Sequence, residues 1–359
     1  MDARPLAPAP PTATPPGPAP NLTNLTDPAF HPKGWAALAP GLAAATALGI
    51  AATAAGRLVP AIGGPVIAVV AGIVVAATLG HRPAWVPGIR FATHAVLKTA
   101  IVLLGLGISL GTVWSTARSS GLVMLGTLAA GLGGSLLVGR LLGVRGDRRT
   151  LIGVGTSICG ASAIAATAGV IEPEDDDVAY AITVIFAFNV AAVLTFPLLG
   201  HAMGMNGSTF GLWAGTAVND MSSVVAAATV FGHGALHTGV VVKLARTLMI
   251  IPVTAFLASR HARATGRGRT GRFDLRRRVP TFLLLFLVAS LVRTTGLVGA
   301  HLAAAGGQLS TFLITVALAA VGLSARPDHI RSAGLRPMIF GGSLWIVVAG
   351  TSLGLQAIH

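Results

Sequence analysis

Charge is scarce in this chain. Only 10 % of its 359 residues are Asp, Glu, Lys or Arg, where a soluble domain carries about 25 %. Aromatic residues make up 5 %, and Cys159 is the single cysteine, which excludes an intramolecular disulfide. The nucleotide-binding sequence G-x-x-x-x-G-K-[ST] is missing, so the chain does not drive itself with ATP through a P-loop. The zinc-protease sequence H-E-x-x-H and paired metal-binding cysteines are missing too. No enzyme chemistry and no bound cofactor are expected. His233 and His237 have i, i+4 spacing but no neighbouring carboxylate, so no metal site is expected there either.

What takes the place of charge is small apolar residues. The chain is 53 % hydrophobic and holds 46 glycines. Small residues let helix backbones approach closely in lipid, where dispersion and hydrogen bonds hold helices together. Apolar runs cover about 35–56, 60–80, 94–116, 120–140, 151–170, 179–200, 210–231, 239–258, 280–303, 308–324 and 337–357. A helix needs about 20 apolar residues to cross the hydrocarbon core, and the short alternating segments of a membrane barrel are absent. The reading is an all-α integral membrane protein with about 9–11 transmembrane helices over residues 34–359. Residues 1–33 hold ten of the 21 prolines and read as a disordered tail rich in Pro and Ala.

The net charge of +14 would suggest nucleic acid in a soluble protein. Here the basic residues sit mainly in short loops. If every run crosses, 18 of the 25 fall on one side and Arg57 and Arg118 alone on the other. Lys98, Arg140, Lys243, Arg246 and Arg293 lie in or at the edges of runs. The positive-inside rule then places the N-terminus in the cytoplasm, with the Arg-rich loop 259–279 as an anchor near anionic lipid headgroups. Arg outnumbers Lys 22 to 3 in an Ala- and Gly-rich chain, which suggests a GC-rich bacterial genome and hence a bacterial inner membrane. Gly- and Ala-rich faces make a homodimer plausible.

Two segments resemble each other at an offset of 60. GTSICGASAI at 155–164 lies over GTAVNDMSSV at 215–224, sharing G-T, a later Ser and β-branched positions. Transporters are often built from inverted repeats with interrupted helices at the substrate site. Only one run, 179–200, separates the motifs. Full crossings would make them parallel, whereas re-entrant segments would make them inverted. Gly- and Ser-rich backbone is tolerated at membrane depth where it lines a polar cavity, which favours broken or re-entrant motif helices.

Asp220 is the one acidic residue well inside an apolar run. Such a carboxylate costs about 2.5–3.5 kcal/mol to insert, so it should pair with a cation, face the interior or carry a proton. Lys243 and Arg246 share a helix face, and an anion would compensate them. Asp220 could also neutralise one of the pair. Asn189 could join the site or simply bond across helices. The expected site has Lys243 and Arg246 supplying charge and Thr156, Ser157, Ser162, Asn189, Thr216, Asn219 and Ser222 supplying hydrogen bonds. Asp220 would bind H⁺ or Na⁺ as the coupling ion. Cys159 reads as a packing residue.

Several stretches resemble the YeiH-type family, whose members are described as sulfate exporters. They are GTSICGASAIAATAGVI, AITVIFAFNVAAVLTFPLLG, GLWAGTAVNDMSSVVAAATVFG, VVKLARTLMIIPV and the earlier LKTAIVLLGLGISL. The resemblance spans the chain after its tail. It implies an inner-membrane carrier of about ten helices, with two inverted repeats and crossed, interrupted helices, that exports sulfate or related oxyanions such as sulfonates. The residues alone reach a carrier of a small inorganic or organic anion. They also leave open a cation/proton antiporter built on Asp220. A membrane-embedded enzyme or an assembly subunit is a third reading that no motif supports.

Overall fold

The computed structural model describes residues 35–58, 64–80, 82–232, 234–265, 281–324 and 335–358. The proline-rich tail 1–33, most of the Arg-rich loop (266–279) and His233 lie outside these residues. Everything described belongs to one body, His31–His359. It is built from helices, and seven of the described ones are long and apolar enough to cross a membrane.

The chain runs through α1 (Ala39–Leu58), α2 (Gly64–Leu79) and α3 (Pro83–Gly105), which passes through a π turn at Ala92–Val96. A short α4 (Leu110–Ser119) precedes the spanning α5 (Gly121–Leu141). Next come α6 (Gly146–Ser157), α7 (Ala161–Ile171), α8 (Asp175–Ala202), α9 (Gly207–Ala217) and α10 (Met221–Phe231). Then α11 (Ala235–Thr247) and α12 (Ile250–Thr265) join end to end into one long span. The last three are α13 (Thr281–Thr294), α14 (Ala300–Leu323) and α15 (Leu335–Ile358).

Two run boundaries differ from the sequence reading. The run at 94–116 is two helices, because Pro83 starts α3 in the first-turn position that proline tolerates. That helix ends at Gly105, and Ser109 then caps α4 by accepting from the Thr112 N–H at 3.2 Å. Arg90, placed in a loop by its charge, therefore lies inside α3. Likewise α13 ends at Thr294, and Gly296 turns the chain at φ +75°. As a result α14 starts at Ala300 rather than near 308.

Two packing groups result. In the first, α14 packs along α1, α2 and α3, and α13 along α3. In the second, α5–α12 and α15 pack around one another. The groups share one buried apolar cluster, to which α3 contributes Leu97, Ile101 and Leu104, α10 Val225 and Ala226, and α11 Val240 and Leu244. Within the first group, close approach rests on glycine. A Cβ on Gly322 would stand 2.3 Å from the Val69 carbonyl oxygen and 2.9 Å from the Gly72 Cα. Gly322→Leu must therefore push α2 and α14 apart. We expect a loss of about 2 kcal/mol, typical of overpacking, seen as a lower melting temperature in detergent. An unchanged melting temperature would show that the two helices can separate freely.

Both motif segments fold back on themselves. At the outer end of the first, Arg148 in α6 pairs with Asp177 at the start of α8, Nη2 to Oδ1 at 2.6 Å, and Nε donates to the same oxygen at 2.7 Å. The guanidinium also lies 4.5 Å from the Tyr180 ring centroid. A straight crossing from 146 to 171 would put these residues on opposite faces of the bilayer. Side chains agree: a Cβ on Gly155 would lie 3.0 Å from Ile164. At the outer end of the second, the Phe210 and Phe231 rings stack at 3.9 Å. Between them α8, 28 residues long or about 42 Å, crosses fully. The α6–α7 hairpin therefore enters from one face and the α9–α10 hairpin from the other, an inverted pair. The acidic segment 172–177 consequently lies on the hairpin's own side, with the Arg148 end of α6.

The Arg148–Asp177 pair is partly exposed, at 36 % and 18 % for the two side chains. Asp177→Asn should lower stability by about 1 kcal/mol or less, measured by denaturation in detergent. A loss of several kcal/mol would make this pair the latch of the hairpin.

Candidate functional site

The two hairpin tips meet each other. Ile158 to Gly160 form the first tip, and Val218 to Asp220 the second. They are close neighbours, since a Cβ on Gly160 would lie 3.5 Å from the Asn219 carbonyl. Asn189 sits halfway along α8, and Lys243 and Arg246 lie near the middle of the Ala235–Arg263 span.

Each helix that enters the tips ends in unpaired carbonyls, the negative end of its dipole. Lys243 answers both at once. Its Nζ donates to Ile158 O at 3.0 Å and to Val218 O at 2.6 Å. These acceptors are 60 residues apart, the same offset as the motif, so one ammonium bridges equivalent positions of the two repeats. Arg246 Nε donates to Ser157 O at 2.8 Å. Both cations are 0 % exposed. Arg246 Nη1 and Nη2 are buried and hydrogen-bond no protein atom among the described residues.

The second tip carries its own carboxylate. Asp220 N-caps α10: Oδ1 accepts from the Ser223 N–H at 2.6 Å and the Ser222 hydroxyl at 2.8 Å. Asn189 Nδ2 donates to Oδ2, and Asn189 Oδ1 accepts from the Asn219 N–H at 3.1 Å. Asp220 is half-buried and within electrostatic range of Lys243. Among the described residues, however, no ion pair joins it to either cation. At the corresponding position of the first tip stands Gly160, at φ +67°. A glycine suits that conformation, and α7 thereby starts with no side-chain cap.

The predicted residues thus divide. Asn189, Asn219, Asp220 and Ser222 form one network beside Lys243 and Arg246. The Asn219 side-chain amide is buried and bonds no described residue, as are the Thr156 and Ser157 hydroxyls at the inner end of α6. Ser157 Oγ sits against α5, since a Cβ on Gly131 would meet it. Thr216 is committed elsewhere, bonded to Leu212 O at 2.7 Å and to Ser352 Oγ of α15 at 2.7 Å. Ser162, in the first turn of α7, is exposed. Cys159 is buried at the first tip.

Sequence reasoning passed over His94. It is the midpoint of α3, inside the π turn. Away from the tips, a cleft of about 330 Å³ opens on the face from which the α9–α10 hairpin enters. Ser119, Ser208, Thr209, Thr238 and Gln356 are among the residues lining it. Gln356 donates to Ser352 at 3.1 Å, and Ser352 bonds Thr216, so hydrogen bonds lead from this cleft toward the second tip.

Comparison with known proteins places these features in a family. The profile of the family described as Conserved hypothetical protein 698 matches residues 40–341. A UPF0324 membrane protein of Fusobacterium nucleatum is 37 % identical over 300 residues, covering 78 % of this chain and 86 % of its own length. Another, from Streptococcus pyogenes serotype M18, is 40 % identical over 285 residues, covering 77 % and 84 %. A third, from Clostridium tetani, is 36 % identical over 281 residues, covering 75 % and 81 %. No solved structure matches.

Proposed function

The chain belongs to the Conserved hypothetical protein 698 family of membrane proteins, and on that premise we propose that it is a secondary carrier of a small oxyanion. The carrier works by alternating access in a bacterial inner membrane, with its N-terminus in the cytoplasm. The observation that carries this reading is the Arg246 fork: two buried guanidinium nitrogens at mid-depth with no protein acceptor. A planar guanidinium matches an oxyanion in bidentate fashion. With Lys243 and Asp220 beside it, the site holds two buried cations and one carboxylate, which leaves an excess of positive charge where an isolated charge is expensive. A sulfate or sulfonate would offset it, with the Asn219 amide and the uncapped N-terminus of α7 as further donors.

Inverted hairpins suit the mechanism. Each closes the path from its own face, so shifting one tip against the other exposes the site to one side at a time. Asp220 is the partner of the coupling ion. It supports an antiporter less well, because donors already occupy both its oxygens and a bare cation needs free acceptors.

The test is thermal stabilisation of the purified protein by sulfate, ethanesulfonate, chloride and Na⁺, since a specific ligand raises the melting temperature by mass action. Stabilisation by an oxyanion, followed by its flux in proteoliposomes, is expected. Stabilisation by Na⁺ alone, lost in Asp220→Asn, would transfer the function to the antiporter.

A further inference from the structure

The two hairpins are fastened differently. Side chains tie the second to its surroundings along its length. Trp213 Nε1 donates to the Ala349 carbonyl of α15 at 3.1 Å. One turn on, the hydroxyls of Thr216 and Ser352 of α15 bond at 2.7 Å. At the tip, Asn189 of α8 holds two successive residues with one amide. Its Oδ1 accepts from the Asn219 N–H at 3.1 Å, and its Nδ2 donates to Asp220 Oδ2. Asp220 in turn caps α10.

The first hairpin is fastened at its outer end, where Arg148 binds Asp177 of α8. Its tip is held by two backbone carbonyls, Ile158 O on Lys243 and Ser157 O on Arg246. Gly160 turns the tip, and α7 starts without a side-chain cap. The hydroxyls of Thr156, Ser157 and Thr167 are buried and bond no described residue. An unpaired buried hydroxyl destabilises the position that buries it, so this hairpin gains hydrogen bonds wherever water reaches it. The second tip has one such group, the Asn219 amide, on a backbone that Asn189 fixes. Elsewhere the first hairpin relies on apolar burial, with Leu151, Ile152 and Ile164 in one cluster with Val184 and Ile185 of α8. Apolar burial is non-directional and tolerates sliding better than hydrogen bonds do.

We propose that the first hairpin is the moving gate of the carrier and that Asn189 is the positioning residue that keeps the second hairpin fixed to α8. This rests on the carrier reading. The first tip swings about the Arg148–Asp177 end and opens the site to that face. The second moves only as one body with α8 and α15. The two faces therefore open by different motions, one local and one rigid-body. Arg246 connects the gate to its load. Its Nε holds Ser157 O while its fork takes the anion, so an occupied fork keeps the guanidinium in the pose that closes the tip.

The test compares two matched reporters 60 residues apart. Ile158 and Val218 are both 0 % exposed. Each is replaced by Cys in the full chain carrying Cys159→Ser, reconstituted in proteoliposomes. Alkylation by N-ethylmaleimide is timed by mass spectrometry, with sulfate as the probe ligand. Without sulfate, Ile158→Cys should react about tenfold or more faster than Val218→Cys, the scale of one or two net hydrogen bonds. Sulfate should slow the first and leave the second unchanged. Adding Asn189→Ala should raise the Val218→Cys rate by about tenfold and change the Ile158→Cys rate far less. Asn189→Gln, which keeps the amide but displaces it, should act alike. Equal rates at the two positions, or a faster rate at 218, would overturn the assignment of the gate. Asn189 variants that speed both positions equally, or neither, would overturn the role of Asn189. Absence of sulfate exchange and of any sulfate effect would instead remove the carrier reading, while the ratio of the two rates still decides which hairpin moves.

Discussion

Arg246→Ala is expected to abolish oxyanion binding while leaving the protein folded. Its fork offers two charge-assisted hydrogen bonds, each about 1.5–3 kcal/mol when desolvated, so affinity should fall by about 100-fold or more. The stabilities of the ligand-free proteins should stay close. Truncation removes a buried charge, which is favourable, and leaves the Ser157 carbonyl without its donor at 2.8 Å, which is unfavourable by about 1–3 kcal/mol. The signature is therefore an almost unchanged melting temperature that no longer rises with added oxyanion. Arg246→Lys separates charge from shape: a point charge without the fork should recover only part of the affinity. If Arg246→Ala binds and transports sulfate like the wild type, the oxyanion is held elsewhere.

Lys243→Met should act in the opposite way, through assembly. The ammonium is the donor to one carbonyl of each tip, Ile158 O and Val218 O. Methionine fills much of the same volume but leaves both carbonyls buried and unpaired, at about 1–3 kcal/mol each. The thermal stability of the ligand-free protein should drop by about 3 kcal/mol, and flux should fall with it because the tips lose their common reference. A Lys243→Met protein as stable as the wild type would mean that the tips hold each other without the bridge. Comparing these two variants separates the cation that organises the site from the cation that receives the anion. The sequence reading, which gave both residues one role, could not make that distinction.

Much of the fold was legible because bilayer thickness imposes a length on every apolar run. The G-T motif marked the hairpins, and mid-run charge marked Asp220, Lys243 and Arg246. Whether a motif segment crosses or turns back was left open, because helix periodicity is the same in either case. That is decided by distant pairs such as Arg148 with Asp177 and Phe210 with Phe231. The partners of Lys243 and Arg246 are backbone carbonyls, which leave no side-chain trace in a sequence. Thr216 looked like a ligand from its motif position, yet Ser352, far along the chain in α15, binds its hydroxyl. His94 was missed because the third run was taken to begin at 94, at the membrane edge. Starting that helix at Pro83 moves His94 to the middle, where an imidazole is unusual enough to notice.

The bridge made by Lys243 also constrains how the protein is made. Its first acceptor, Ile158 O, leaves the ribosome 85 residues before its donor, and the second, Val218 O, 25 residues before it. For that interval the first hairpin sits in the bilayer with its tip carbonyls unanswered. Synthesis of α11 then supplies one side chain that completes both tips together. Maturation of the two repeats is thus a single late event timed by translation. Nascent chains halted before residue 243 should leave the first hairpin open to protease, and chains long enough to insert α11 should close it.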